Sequence, residues 1–109
     1  MPICLMIHHP VLAPVIEEQI REMVEGTFLP QDKHHEADLL ITDQEVPSVG
    51  AWGHQRRVLF VRCCYEHMIP NVIIEIRDHN KSIDPDAFKI MDLVEEPLDD
   101  HIPWIQQFA

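Results

Sequence analysis

Runs of consecutive apolar residues occur within three segments of the chain: Ile3–Ile7, Leu39–Thr42 and Arg57–Val61. Strands that are buried on both faces, as in parallel sheets covered by helices, have this pattern. A shorter run, Thr27–Leu29, predicts another strand that ends before Pro30. These four segments therefore predict strands of one covered sheet.

Residues 11–25 alternate apolar and charged positions with the period of an α-helix. Proline is tolerated only in the first turn of a helix, so Pro14 predicts a start near Leu12. Gly26 is predicted to end the helix. The apolar residues that would share its buried face are Leu12, Val15, Ile16, Ile20, Met23 and Val24.

Two later segments, Asn71–Arg77 and Ile90–Val94, are predicted to be strands. The first of them contains the β-branched residues Val72, Ile73, Ile74 and Ile76, of which Val72, Ile74 and Ile76 would share one face of a strand. The second ends before Pro97. Two stretches between the predicted elements are interpreted as loops: the polar residues 31–36 and a long irregular segment that contains Pro47, Gly50 and Gly53.

The end of the chain is predicted to be helical. Asp84-Pro85 has the residues of a helix cap and first turn, and Asp99 or Asp100 can cap a last helix that has Pro103 in its first turn. Its inward-facing residues would be Ile102, Ile105 and Phe108. Strands that alternate with helices predict an α/β fold, a small layered sheet with flanking helices, as a single domain over residues 1–109.

Composition and charge narrow the function classes. The 109 residues are 46% hydrophobic and 25% charged, as in an ordinary globular domain with one modest core. The 19 acidic and 8 basic residues give a net charge of −11. Binding to nucleic acid or to an anionic membrane would work against this charge, so neither is expected as a partner. Residues 1–50 carry −7, residues 51–83 carry +2 and residues 84–109 carry −6.

The sequence contains no apolar run of the ~20 residues that a membrane-spanning helix needs, and its start does not resemble a signal peptide. Its three cysteines are an odd number, and two are adjacent, which favours a reducing compartment. Met1 directly before Pro2 and a strand is typical of a start codon placed on a domain taken from a longer protein.

Asp43 follows a buried strand, as the phosphate-accepting aspartate does in the receiver domain of a response regulator. Receiver chemistry needs Mg²⁺, which binds hard oxygen ligands. The place after the first strand, where receivers have an acidic pair, holds His8 and His9 instead. We therefore predict that Asp43 caps a turn, with a degenerate receiver as the alternative.

A small metal site on Cys63, Cys64 and His67 is the second alternative. Structural zinc sites use spaced cysteine pairs, because adjacent side chains do not readily reach one ion. The adjacent cysteines are better interpreted as a strand end with one side chain inward and one outward, and Cys4 as a core residue. The other residues that could carry chemistry are given structural interpretations. His8, His9, His34 and His35 are interpreted as solvated turn histidines, and Met6, Met23 and Met68 as methionines that fill the core.

The two tryptophans are predicted to lie outside the core. Trp52 is in the long loop, and Trp104 would lie on the last helix opposite its inward face. An indole outside the core indicates a binding surface.

Three stretches of the sequence, Ala37–Val46, Gly53–Cys64 and His67–Pro70, resemble the alpha/beta/loop (ABL) domains of the Rcs phosphorelay. Over the whole chain, the resemblance is greatest to the version that precedes a histidine phosphotransfer domain. It implies an α/β fold with a long irregular loop, here about Glu45–Gln55, and neither a catalytic residue nor a cofactor.

The resemblance also implies a cellular role. Such a domain belongs to a larger protein anchored in the bacterial inner membrane and lies on its cytoplasmic side without touching the membrane itself. It binds the response regulator RcsB, so that the adjacent histidine phosphotransfer domain, in cis, can exchange phosphate with the regulator.

The acidic end of the chain is the predicted partner surface. Residues 84–100 hold seven carboxylates and one lysine. As the resemblance implies, RcsB has a DNA-binding domain, whose phosphate-contacting face is expected to be basic. We predict contact through Glu95, Glu96, Asp99 and Asp100, with Trp104 nearby as an apolar anchor. The Trp52 loop with Arg56-Arg57 is the next candidate.

Overall fold

The computed structural model describes residues 2–44 and 57–108. The strands are β1 (Pro2–Met6), β2 (Thr27–Leu29), β3 (Leu39–Thr42), β4 (Arg57–Arg62) and β5 (Phe88–Asp92). The α-helices are α1 (Leu12–Met23), α2 (Asn71–Lys81) and α3 (Ile102–Gln107). Two 3₁₀ helices cover Gln31–Glu36 and Leu98–Asp100.

The five strands form one parallel sheet in the order β2-β1-β3-β4-β5. Strand β3 is at the centre of the sheet and pairs with β1 on one side and β4 on the other. Leu40 of β3 lies opposite Cys4 of β1 and Val58 of β4. The continuous apolar runs are explained by this arrangement, because a central parallel strand is covered on both faces. The α/β fold predicted from the sequence is confirmed.

Alternate residues of each strand enter two hydrophobic layers, one on each face of the sheet. One layer packs β1, β3, β4 and β5 against Ile16 and Ile20 of α1 and Ile105 of α3. The other packs them against Ile73 and Ile76 of α2. Full burial of one large apolar side chain contributes about 1.5–3 kcal/mol of transfer free energy. Both layers therefore stabilise the domain.

The prediction of a strand over Asn71–Arg77 is wrong, because this segment is the first part of helix α2. Pro70 immediately precedes the helix. Ile73, Ile76 and Asn80 recur at intervals of three and four residues. The two isoleucines pack against the sheet, and the buried Asn80 side chain donates to the carbonyl of Ile76. The physical reason is the topology: β4 and β5 are parallel, and parallel neighbours need a crossover connection, which is usually a helix.

Smaller differences concern loops and helix ends. Residues 31–36 form a 3₁₀ helix rather than a loop, and residues 84–87 form a turn rather than a helix. The backbone N–H of Asp86 donates to Asp84 Oδ1 in this turn, so Asp84 caps a turn only. Helix α1 ends at Met23, before Gly26, because Val24 is extended and buried.

Asp99 and Asp100 do not cap α3 with their side chains. Both lie in the second 3₁₀ helix, and His101 precedes α3 without a side-chain capping bond. Pro103 does lie in the first turn, as predicted.

Across residues 2–44 and 57–108, no helix is both long enough and apolar enough to cross a membrane. The predicted loop over residues 45–55, with Trp52 and the neighbouring Arg56, lies outside the described residues.

Candidate functional site

Asp43 lies at the carboxyl end of β3; the residue is 6% exposed, and both oxygens of its carboxylate accept hydrogen bonds. The backbone N–H of His8 donates to Oδ1 at 2.9 Å, and that of His9 donates to Oδ2 at 3.0 Å. The side-chain amide of Gln44 donates to Oδ1 at 3.1 Å. Asp43 therefore ties the loop after β1 to the end of β3, as the predicted capping role requires.

This position is where open α/β sheets commonly bind ligands. In the strand order 2-1-3-4-5, the connections diverge between β1 and β3, and the crevice at their carboxyl ends is the usual site. Here the loop that follows β1 is held against Asp43. His9 Nδ1 also accepts the backbone N–H of Leu12 at 3.0 Å, so His9 holds the start of α1.

The metal alternatives need a cluster of ligands. Within the described parts of the chain, no three or more His, Cys, Asp or Glu side chains are grouped so that they could hold a metal ion. The ring of His67 lies 5.8 Å from the ring of Phe60, and Arg62 Nε donates to the His67 carbonyl at 2.7 Å. Cys63 is buried and Cys64 is half-buried, which agrees with the predicted inward and outward pair.

Two thiols are held protonated by their surroundings. Burial raises the pKa of Cys63 to about 12, and the nearby charge of Asp43, with its Oδ2 3.8 Å from the sulfur, adds to this rise. Burial likewise raises the pKa of Cys4 to about 11. Neither residue presents a thiolate, the form that attacks electrophiles or binds metals.

We predict that thiol reagents modify only Cys64 in the folded protein at pH 7.5. Mass spectrometry after iodoacetamide treatment should show one modified cysteine in buffer and three in denaturant. A Cys64→Ser variant is the control and should remain unmodified while folded. Rapid labelling of Cys63 in native buffer would contradict the assigned environment.

The same pKa shifts predict a pH effect. The folded pKa values are raised above the ordinary value of 9.0, so the unfolded state loses these protons first. Stability from the two thiols is therefore present below pH 9 and decreases as the pH rises toward 11–12.

The seven carboxylates of residues 84–100 fall into two groups. Three of them are engaged in contacts within the domain. Asp84 pairs with Arg57 at 3.5 Å, Asp86 accepts the indole N–H of Trp104 at 3.1 Å, and Asp92 pairs with Arg62 at 3.0 Å. Their role is structural.

The other four carboxylates, Glu95, Glu96, Asp99 and Asp100, are exposed. We call these four residues the acidic surface. In the described part of the chain, no lysine or arginine forms an ion pair with any of them, and the His101 imidazole lies 3.7 Å from the Glu96 carboxylate. These are the four carboxylates that are predicted from the sequence to contact a partner.

Trp104 does not point away from the core, so its predicted orientation is wrong. Its side chain is half-buried and packs against the hydrophobic layer that contains Ile105. The ring meets Phe108 edge to face at a centroid distance of 5.0 Å, and Lys89 Nζ lies 5.5 Å from the indole centroid. Neighbouring side chains therefore cover part of the Trp104 ring.

Several exposed apolar residues were not anticipated. Tyr65 and Met68 are 76% and 73% exposed in the loop after β4, and Val11 is 70% exposed in the loop after β1. These loops follow parallel strands and lie at the same edge of the sheet. Met23 and Met68 were predicted in the core, and both are exposed. The position of Met68 in the sequence could have predicted its exposure. It lies between the end of a strand and Pro70, and such connecting loops run over the surface.

The chain matches no known family model, no curated protein and no solved structure.

Proposed function

We propose that the chain is a non-catalytic docking module of a His–Asp phosphorelay intermediate. In this proposal it is the ABL domain of an RcsD-like protein on the cytoplasmic side of the inner membrane. It binds the response regulator RcsB next to the histidine phosphotransfer domain, which performs the chemistry. The observation that carries the proposal is the acidic surface, four exposed carboxylates with which no lysine or arginine of the described residues forms an ion pair.

The electrostatics of this surface favour a basic partner. Four like charges close together in the chain repel one another, at a modest cost in stability that a basic face would relieve. A rim of opposite charge increases the rate of association more than the final affinity. The DNA-binding domain implied for RcsB has a face that neutralises phosphates, and that face suits the acidic surface.

The alternative, a degenerate receiver, is supported by one observation: Asp43 ends β3 in a sheet of the order 2-1-3-4-5. The hydrogen bonds of Asp43 weigh against it. Both oxygens already accept backbone N–H groups, so a Mg²⁺ ion or a phosphoryl group would compete with these bonds. Docking is therefore the function that we propose.

The double variant Glu95→Lys/Glu96→Lys is expected to weaken binding of RcsB about tenfold, mainly through slower association. The isolated chain should bind with a Kd on the order of tens of micromolar, and a chain that includes the phosphotransfer domain should bind more tightly because the second contact is tethered. Calorimetry at two salt concentrations measures the Kd, and stopped-flow kinetics at the same concentrations measures the association rate. Binding should weaken at the higher salt concentration, and duplex DNA should compete.

The matched control is Glu18→Lys/Glu22→Lys, which makes the same change of charge on exposed residues of α1. It should lower affinity much less than the double variant at the acidic surface. Equal effects of the two variants would show that only net charge matters. If Glu95→Lys/Glu96→Lys leaves both the affinity and its salt dependence unchanged, the partner binds elsewhere.

A further inference from the structure

A cavity of about 340 Å³ lies where the end of α2 meets strand β5 and the segment before α3. Its apolar wall includes Phe88, which is buried, and Ile90, which is half-buried. Among the described strands, β5 pairs only with β4, so the cavity lies at the edge of the sheet. Its volume is at the lower end of the range for small-molecule sites.

The cavity is basic although the protein is acidic. Arg77, Lys81 and Lys89 line it, which is three of the eight lysines and arginines in a chain of net charge −11. Glu96 is the one carboxylate among the described residues that line it. These four side chains together carry a charge of +2, and that charge suits a dianion.

The three cations have few anionic partners. Arg77 and Lys81 share one carboxylate, that of Asp78, at 3.1 and 3.7 Å. Lys89 forms no ion pair with any described residue, and its ammonium faces the Trp104 ring instead. Most of their N–H donors therefore remain available to a ligand.

His101 adds an unmet hydrogen-bonding requirement. It lines the same cavity, and its Nε2 atom is buried without a hydrogen-bond partner in the described structure. Glu96 Oε1 is the nearest carboxylate oxygen, 3.7 Å away, which is too far for a hydrogen bond. Buried polar atoms without a partner are uncommon in native proteins and call for an explanation. A bound anion that displaces the half-exposed Glu96 side chain would provide an acceptor.

We propose that this cavity binds a small organic phosphate, with the phosphate group held by Arg77, Lys81 and Lys89 and the organic part against Phe88 and Ile90. Arginine and lysine are the usual phosphate ligands in proteins, and arginine adds a planar fork of donors. A carboxylate carries one charge and would use fewer of these donors. The site shares Glu96 with the acidic surface, but phosphate binding does not depend on the docking role proposed above.

Titration with phenyl phosphate, inorganic phosphate and benzoate at constant ionic strength tests the proposal. Amide shifts in ¹⁵N-labelled protein should saturate at residues 77, 81, 89 and 101, with phenyl phosphate bound more tightly than either other probe. Lys89→Gln should weaken phenyl phosphate binding about tenfold, because it removes a charge-assisted contact. Glu96→Gln should strengthen binding, because it removes a repulsive charge.

Lys33→Gln is the matched control, since Lys33 is exposed and lies outside the cavity. It should leave phenyl phosphate binding unchanged. Equal weakening by Lys33→Gln and Lys89→Gln, shifts that do not saturate, or benzoate binding as tightly as phenyl phosphate would each overturn the proposal. Lys89 is exposed, so its variant should fold, and the dispersion of its amide spectrum verifies this. Regulator binding by Lys89→Gln, measured separately, distinguishes a failure of this site from a failure of the docking proposal.

Discussion

Replacement of Asp43 by alanine should lower the free energy of unfolding by about 3 kcal/mol. The substitution removes the acceptor of the His8 and His9 backbone N–H groups, and both lie against a carboxylate that is almost fully buried. A donor left without a partner costs about 1–3 kcal/mol when it is buried, and here two partly buried donors lose their acceptor. Urea unfolding followed by circular dichroism measures the change.

Two further variants make the Asp43 experiment specific. Asp43→Asn keeps one acceptor oxygen and should be destabilised less than Asp43→Ala. Asp32→Ala removes an exposed carboxylate and should change stability by no more than about 0.5 kcal/mol. An Asp43→Ala protein as stable as the wild type would contradict the structural role.

The same residue separates the two proposed functions. If Asp43 is a structural cap, Mg²⁺ with beryllofluoride should leave the amide signals around Asp43 unmoved in the wild-type protein. Saturable shifts at residues 8, 9 and 43 would favour the receiver alternative instead. The two measurements together distinguish a carboxylate that holds two loops from one that accepts a phosphoryl group.

The Arg62→Met variant should lose about 3 kcal/mol of stability. Arg62 Nη1 pairs with Asp92 at 3.0 Å, and both side chains are largely buried. The same guanidinium donates to the carbonyls of His67 at 2.7 Å and Tyr65 at 3.2 Å. Methionine keeps much of the apolar stem but leaves the Asp92 charge unpaired in a poorly solvated position. This unpaired charge accounts for most of the expected loss of stability.

Denaturant unfolding gives the global effect of Arg62→Met, and hydrogen exchange over residues 63–70 should show a local increase, because the guanidinium holds that loop to β4. Arg77→Met is the matched control. Its partner Asp78 is exposed, so its loss should cost less than about 1 kcal/mol. If the two variants lose equal stability, the Arg62 network contributes no more than a surface ion pair.

Strands β1, β3 and β4 were predictable because a buried parallel strand leaves a direct trace in the sequence, a run of consecutive apolar residues. Helix α2 was not. Four of its residues from Val72 to Ile76 are β-branched, and Val72, Ile74 and Ile76 would share one face of a strand, a pattern that local preference assigns to a strand. The requirement for a crossover between β4 and β5 overrides that preference, and it arises only when the two strands pair.

The acidic surface, too, is only partly predictable from the sequence. The sequence places seven carboxylates in residues 84–100, but it does not say which of them have partners. Arg57 and Arg62 are more than 20 residues away from the aspartates with which they pair, and Trp104 bonds to Asp86 only because α3 folds back over the sheet. Only after these contacts form are four carboxylates left facing the solvent.

The sequence by itself determined the α/β class, the covered strands and the position of Asp43 at a strand end, because hydrophobic periodicity and turn residues act over a few neighbours. The tertiary structure decided the helical state of residues 71–81, the inward packing of Trp104, the hydrogen bonds that occupy Asp43 and the meeting of three cations at the edge of β5. Each of these depends on residues far apart in the chain, whose pairing is a property of the whole fold and has no local signal.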